Sequence, residues 1–232
     1  MSELDYEVIG SDLQMVNIRL HQQQAVIAEP GAMVSMQDSV SMETSTSGGV
    51  FKGFKRMLGG GGFFLTRFEN NSQDNTAEVS FAAPYPGKVM AIDLSQHGGQ
   101  LLAQKQCFLC AEQSAKVDIA FTKRFSSGFF GGEGFILQKI TGNDMAFIHG
   151  GGCIIKKELS PGEVLKVDTG CLIGFEASVR YEVEFVRGVS NMLFGGEGLF
   201  FVRLVGPGQV YIQSMPFARL AHAIAAMLPS RR

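Results

Sequence analysis

GGEGFILQKI (Gly131–Ile140) and GGEGLFFVRL (Gly195–Leu204) are nearly the same phrase, and GGGGFFLTRF (Gly59–Phe68) is a third version of it. Each sets a cluster of glycines before a run rich in β-branched and aromatic residues, the pattern of a tight turn entering a strand. The likeness continues upstream. AVIAEPGAMVSM from Ala25, LLAQKQCFLCAE from Leu101 and VLKVDTGCLIGF from Val164 each read as strand, turn, strand. When Gly31, Gln106 and Gly170 are aligned, the glycine clusters at Gly59, Gly131 and Gly195 follow at nearly the same distance, identical in the second and third copies. Those two copies also share an entry phrase, IDLS ending at Ser95 and KELS ending at Ser160.

Each copy therefore predicts four to five short strands, recurring at a nearly constant interval along the chain. A strand unit of that size leaves edges unpaired and has too little core to stand alone. Three such units around a common axis would cover one another's edges. The expectation is an all-β chain of one domain, with units at about 1–87, 88–157 and 158–232. They are expected to form a compact pseudo-threefold barrel or prism. The one helical pattern is terminal, SMPFARLAHAIAAMLPSRR, where Phe217, Leu220, Ala221, Ile224 and Leu228 fall on one face. That face is expected to pack on its own sheet or on a sister subunit; docking on a membrane or partner is the alternative.

Composition agrees with a folded core. Of 232 residues, 45% are hydrophobic and 18% charged, the latter below the roughly 25% of ordinary globular chains. Net charge is −2 and the isoelectric point about 6.1, so a basic nucleic-acid footprint is absent and nucleic acid is not an expected partner. The start, MSELDYEVIG, reads as neither a secretory signal nor a transit peptide. No run reaches the roughly 18 apolar residues of a membrane span. A cytoplasmic protein is expected, at most peripheral to a membrane.

Several phrases together, AVIAEPGAMV, FFLTRF, APYPGKV, FGGEGF, KVDTG and MLFGGEGLFFVRLVGPGQVYIQSMP, resemble a known family. It is the uncharacterised bacterial family related to the mitochondrial-biogenesis protein named for altered inheritance of mitochondria. The match runs from about residue 4 to residue 216. The resemblance implies a fold of the tryptophan-RNA-binding-attenuator type, a double-stranded β-helix class with three similar units. Eukaryotic relatives are linked to inner-membrane organisation and respiratory complexes. No catalytic residue comes with the resemblance.

Motifs for chemistry are missing, so an enzyme has no support and no cofactor is expected. His21, His97, His149 and His222 are scattered, and no G-x-S-x-G elbow or phosphate loop ending in Lys-Ser/Thr occurs. Cys107 and Cys110 match C-x-x-C, but in a strand they point to opposite faces and would not converge on a metal. They read as two buried small side chains. The sequon at Asn70 carries little meaning without secretion.

Two threefold features remain. Arg67, Lys139 and Arg203 each lie at the same offset from the first glycine of their phrase. Converging, they would make an anion or small-molecule site; on an outer face, their charges sit in water. The segments leading into the glycines join large apolar residues to nearby cations. These are Phe51, Phe54 and Met57; Phe125, Phe129 and Phe130; and Met192, Leu193 and Phe194, with Leu58 beside the first set. They plug the barrel end, form a subunit interface, or dock on a membrane or partner protein. The leading expectation is a non-enzymatic scaffold or interaction protein, a homo-oligomer or membrane-adjacent, acting through this loop-bearing end. A β-barrel binding an anion through the basic ring is the alternative.

Overall fold

In a computed structural model of the chain, residues 4–44, 65–72, 75–123, 134–186 and 199–228 are described. They form nineteen strands and one α-helix. Strands β1 (Asp5–Ile9) to β7 (Ala77–Phe81) enclose β2 (Met15–Leu20), β3 (Ala25–Ala28), β4 (Met33–Met36), β5 (Val40–Thr44) and β6 (Thr66–Asn70). Next come β8 (Gly87–Asp93), β9 (Gln100–Gln104), β10 (Phe108–Glu112), β11 (Lys116–Lys123), β12 (Phe135–Thr141) and β13 (Met145–Gly151). The last six are β14 (Ile154–Leu159), β15 (Val164–Asp168), β16 (Leu172–Glu176), β17 (Arg180–Val186), β18 (Leu199–Val205) and β19 (Gly208–Gln213). Helix α1 (Phe217–Met227) follows.

The pairing follows one rule, read off the ladders. β2 pairs with β7, β8 with β13 and β14 with β19. Those partners pair in turn with β4, β10 and β16. Separately, β3, β9 and β15 pair with β6, β12 and β18, which pair with β5, β11 and β17. Even the irregularities correspond. β4, β10 and β16 each carry a register break, at Met33/Ser35, Phe108/Cys110 and Leu172/Gly174. A break of this kind is a β-bulge, which bends the strand and sharpens its twist.

Two further junctions, β3 with β10 and β9 with β16, weld these sets into six-stranded sheets. Their orders are β5-β6-β3-β10-β13-β8 and β11-β12-β9-β16-β19-β14. A four-stranded sheet, β1-β2-β7-β4, and a three-stranded one, β15-β18-β17, complete the molecule. The sheets do not close into a barrel, which corrects the expected closed form. Among the described residues β4 and β15 each end a sheet, as do β1, β5, β8, β11, β14 and β17.

The core lies in three clusters rather than one. Phe68, Phe81 and Ile18 pack with Leu109 and Phe147; Leu101, Phe108 and Ile148 pack with Ile27, Ile173 and Tyr211; Phe135 and Leu137 pack with Phe175 and Val202. Each cluster mixes strands from different thirds of the chain, so no third could fold as it stands here without its neighbour. Cys107 belongs to the second cluster and Cys110 to the first, each fully buried; they do not share one strand as expected, because Cys107 ends the 3-10 turn Lys105–Cys107 and only Cys110 lies in β10. Burial pushes the Cys107 thiol up to about 12 and Cys110 well above its ordinary value, which leaves both thiols protonated and unreactive. Asn70 of the sequon is wholly buried and donates from Nδ2 to the carbonyls of Leu20 and Asn75.

Helix α1 does not bury its apolar face on the chain's own sheets, the first of the placements expected for it. None of its residues is buried, and Phe217 and Ile224 on the apolar face are about half exposed, at 48% and 54%. It is held at its start, where Phe217 stacks near Tyr85 with ring centroids 5.1 Å apart and Arg219 donates to Asp168 at 2.9 Å. No helix among the described residues is long and apolar enough to cross a membrane.

Candidate functional site

Arg67, Lys139 and Arg203 occupy matching places in their ladders. Arg67 lies between Ile27 and Glu43, Lys139 between Leu102 and Asp118, and Arg203 between Lys166 and Glu182. All three are half-buried. Each therefore has an acidic residue directly across on the outer strand. The two arginines are further engaged. Arg67 donates to Glu69 at 2.6 Å and to Gln113 at 3.1 Å, and that guanidinium holds the Glu69 carboxyl below its ordinary range. Arg203 Nε lies 4.0 Å from Glu184, whose other oxygen accepts from Lys166 Nζ at 2.6 Å. Carboxylates this close cancel part of the positive potential that an anion site draws on. Beside Arg203, an open depression of about 390 Å³ is lined by Val164, Arg180, Tyr181 and Glu182.

The opposing acids have a regularity of their own in the sequence. Glu43, Asp118 and Glu182 share one offset from the aligned turn residues Gly31, Gln106 and Gly170. A second trio, Gln37, Glu112 and Glu176, shares half that offset. Their side-chain oxygens accept from the backbone N–H of Glu78 (3.1 Å), Met145 (2.8 Å) and Gln209 (2.9 Å). Their carbonyls accept from Val40, Ala115 and Val179, closing the same tight turn three times. One acceptor at one offset thus pins the end of β4, β10 and β16.

Glu176 does more than its counterparts, because its other oxygen meets His97 Nδ1 at 2.6 Å. The pair joins the 3-10 turn Leu94–His97 to the end of β16, with side chains 11% and 17% exposed. Ser178 lies beside the same carboxylate, since a Cβ at Gly208 would meet both Ser178 Oγ and Glu176 Oε2. The order is wrong for nucleophilic catalysis, which needs the imidazole between hydroxyl and acid. Here the carboxylate is the middle group, so the arrangement is a tether.

Near β13 and β19 the corresponding positions are His149 and Gln213. The Gln213 amide is buried and satisfied: its oxygen accepts from Gly151 N at 2.7 Å and its nitrogen donates to Gly170 O at 2.8 Å. His149 has no such network. It is 1% exposed, stands edge-on to Tyr85 at 4.5 Å, and neither ring nitrogen makes a hydrogen bond. Tyr85 itself donates to Gln106 O at 3.0 Å, the counterpart of Gly170 O. Burial pushes the His149 pKa down to about 4, only partly opposed by the nearby Tyr85 backbone, so the imidazole is neutral in the fold.

The apolar loop residues singled out above, Phe51, Phe54, Met57, Phe125, Phe129, Phe130, Met192, Leu193 and Phe194, lie outside the described residues. Their strands do not. The three connections leave and re-enter at paired positions, Thr44 with Thr66, Lys123 with Phe135 and Val186 with Leu199.

Comparison with known proteins points one way. The profile of the family described as Mitochondrial biogenesis AIM24 matches residues 6–215. An uncharacterized protein of Streptococcus pyogenes serotype M6 is 23% identical over 223 residues, covering 93% of this chain and 87% of its own. A Streptococcus pyogenes protein of known crystal structure superposes with a TM-score of 0.77 at 21% identity, over 97% of this chain and 100% of its own. That likeness extends to the fold of the whole chain.

Proposed function

Given that the chain belongs to the Mitochondrial biogenesis AIM24 family, we propose that it is a non-enzymatic scaffold whose loop-bearing end docks on another surface, a second copy or an anionic membrane. The architecture behind this reading is three equivalent β units around a pseudo-threefold axis, a prism of the attenuator-protein kind left open at one junction. A single observation carries it: the connections β5–β6, β11–β12 and β17–β18 occupy the same place in the pairing scheme. Under the pseudo-axis the strand ends that flank these connections come to one rim, and the connecting sequences are rich in Phe and Met and include Lys52, Lys55, Arg56, Arg124 and Arg187. Such a mixture suits a surface with apolar and anionic character. The uncovered face of α1 adds apolar surface that internal packing does not use.

A paired substitution, Phe129→Ser with Phe194→Ser, tests this. The wild-type chain is expected to float with vesicles containing anionic lipid at low salt, or to elute as a larger species than the variant. The variant should lose that behaviour while keeping its β-sheet circular dichroism. Identical elution volumes, together with no flotation of the wild type, would remove the proposal.

A further inference from the structure

The junctions β3–β10 and β9–β16 are built alike. In the first, Cys110 faces Ala28, Ala111 faces Ile27 and Glu112 faces Val26. In the second, Gly174 faces Ala103, Phe175 faces Leu102 and Glu176 faces Leu101. By its bulge and its pairing to β7, strand β4 belongs to the series of β10 and β16. By its pairing to β18, strand β15 belongs to the series of β3 and β9. The third junction of the series, β4 with β15, is not made, and the two strands end separate sheets. The consequence is visible in their exposure. β10 and β16 are buried except at their last residue, whereas Val34 and Met36 of β4 are 54% and 39% exposed and Val164 of β15 is 46% exposed.

We propose that the missing junction forms between copies of this chain: β4 of one copy adds to β15 of the next. Transposing the two existing junctions sets the register as Ser35 facing Val167, Met36 facing Lys166 and Gln37 facing Leu165. The backbone is poised for it. In β3–β10, Glu29 N donates to Leu109 O at 3.0 Å and Gln113 N to Ala25 O at 3.1 Å. These bonds flank the Cys110–Ala28 and Glu112–Val26 pairs, so Ala111 and Ile27 turn their own N–H and C=O groups toward each other. Met36 is the counterpart of Ala111, and its backbone groups accordingly point off the edge of the sheet.

Several features favour a second copy as the occupant. β4 reads MVSM, without the charge or proline that natural edge strands use to discourage pairing. Its bulge is no protection, because β10 and β16 carry the same bulge and are paired on that side. The chain's own β15 lies in a different sheet and forms no ladder with its β4. The two edges are complementary halves of a junction the chain already makes twice, and every copy offers one of each. The contact is therefore head-to-tail, giving a ring where the rotation closes and a filament where it does not. It involves neither the loops nor α1, and it rests on the strand pairings alone.

Disulfide trapping tests the register. In a Cys153→Ser/Cys171→Ser background, Ser35→Cys and Val167→Cys chains are prepared separately, mixed and mildly oxidised. Ser35 and Val167 would be a non-hydrogen-bonded antiparallel pair, whose close Cα atoms suit a disulfide. A cross-linked species of two chains is expected in the mixture and not in either variant alone. Replacing Val167→Cys by Leu165→Cys moves the thiol out of register on the same face and should lower the yield roughly tenfold. Met36→Lys supplies a second readout. The position is half-exposed, so the free chain accommodates it, but across the junction it would face Lys166. Self-association by sedimentation velocity should weaken about fivefold, the equivalent of about 1 kcal/mol for like charges directly opposed. No cross-link in the mixture with both thiols reactive would overturn the proposal. So would a cross-link confined within single chains carrying both cysteines, which would mean the prism closes on itself.

Discussion

Gly174→Val is expected to lower the unfolding free energy by about 3 to 4 kcal/mol, near the top of the range for single substitutions. Gly174 sits in β16 opposite Ala103 of β9. A Cβ added there would stand 2.6 Å from the carbonyl oxygen of Leu102 and 3.2 Å from the Cα of Ala103. Both are backbone atoms of a strand paired on its other side to β12, so neither can swing away as a side-chain tip would. The corresponding positions hold Cys110, whose side chain enters the first core cluster, and Ser35, at the open edge of β4. Of these three positions the one in β16 alone holds glycine. Urea unfolding should report a lower midpoint with an unchanged slope, and Gly174→Ala should fall between wild type and valine. A valine variant as stable as the wild type would mean that the two strands separate easily, against the packing described.

Acid should destabilise the fold through His149. In the folded chain the imidazole takes a proton only near pH 4, whereas in the unfolded chain it does so near its ordinary value of 6.5. Between those values the unfolded state binds more protons, so stability falls as pH drops from 6.5 toward 4. The full loss is about 3 kcal/mol at the lower end, by the linkage of about 1.4 kcal/mol for each pKa unit. Carboxylates add their own acid slope, and a His149→Leu variant isolates the histidine. The variant should match or exceed the wild type at neutral pH, because it removes two buried nitrogens that make no hydrogen bond. Its stability should decline much less across the acid range between the two titration points. Parallel pH curves for the two proteins would show that the imidazole is charged in the fold and hydrogen-bonded after all.

Much of the strand order could be read from the chain. The glycine phrases lead into β6, β12 and β18, and the aligned strand-turn-strand segments are β3–β4, β9–β10 and β15–β16. The reading worked because local turn chemistry and alternation fix a strand's extent before any long-range contact forms. It was less complete at the candidate site. The cations at one offset from the glycine phrases stand out in the sequence, whereas the acids facing them, Glu43, Asp118 and Glu182, and the capping Gln37, Glu112 and Glu176 do not. They carry no motif of their own. Their meaning depends on which strands become neighbours, and cross-strand partners are distant in sequence. The helix was anticipated from its periodicity, but a stripe of apolar residues does not say what covers it, and here its face is left open.

By itself the amino-acid sequence determined the all-β class and a terminal amphipathic helix, since spacing, glycine turns and alternation act within a few residues. Tertiary structure alone decided that two of three corresponding junctions form and the third stays open. MVSM at β4 is no less strand-like than FLCA at β10. The difference between them lies in which strand each one meets, and strand neighbours are set by long-range packing rather than by local sequence.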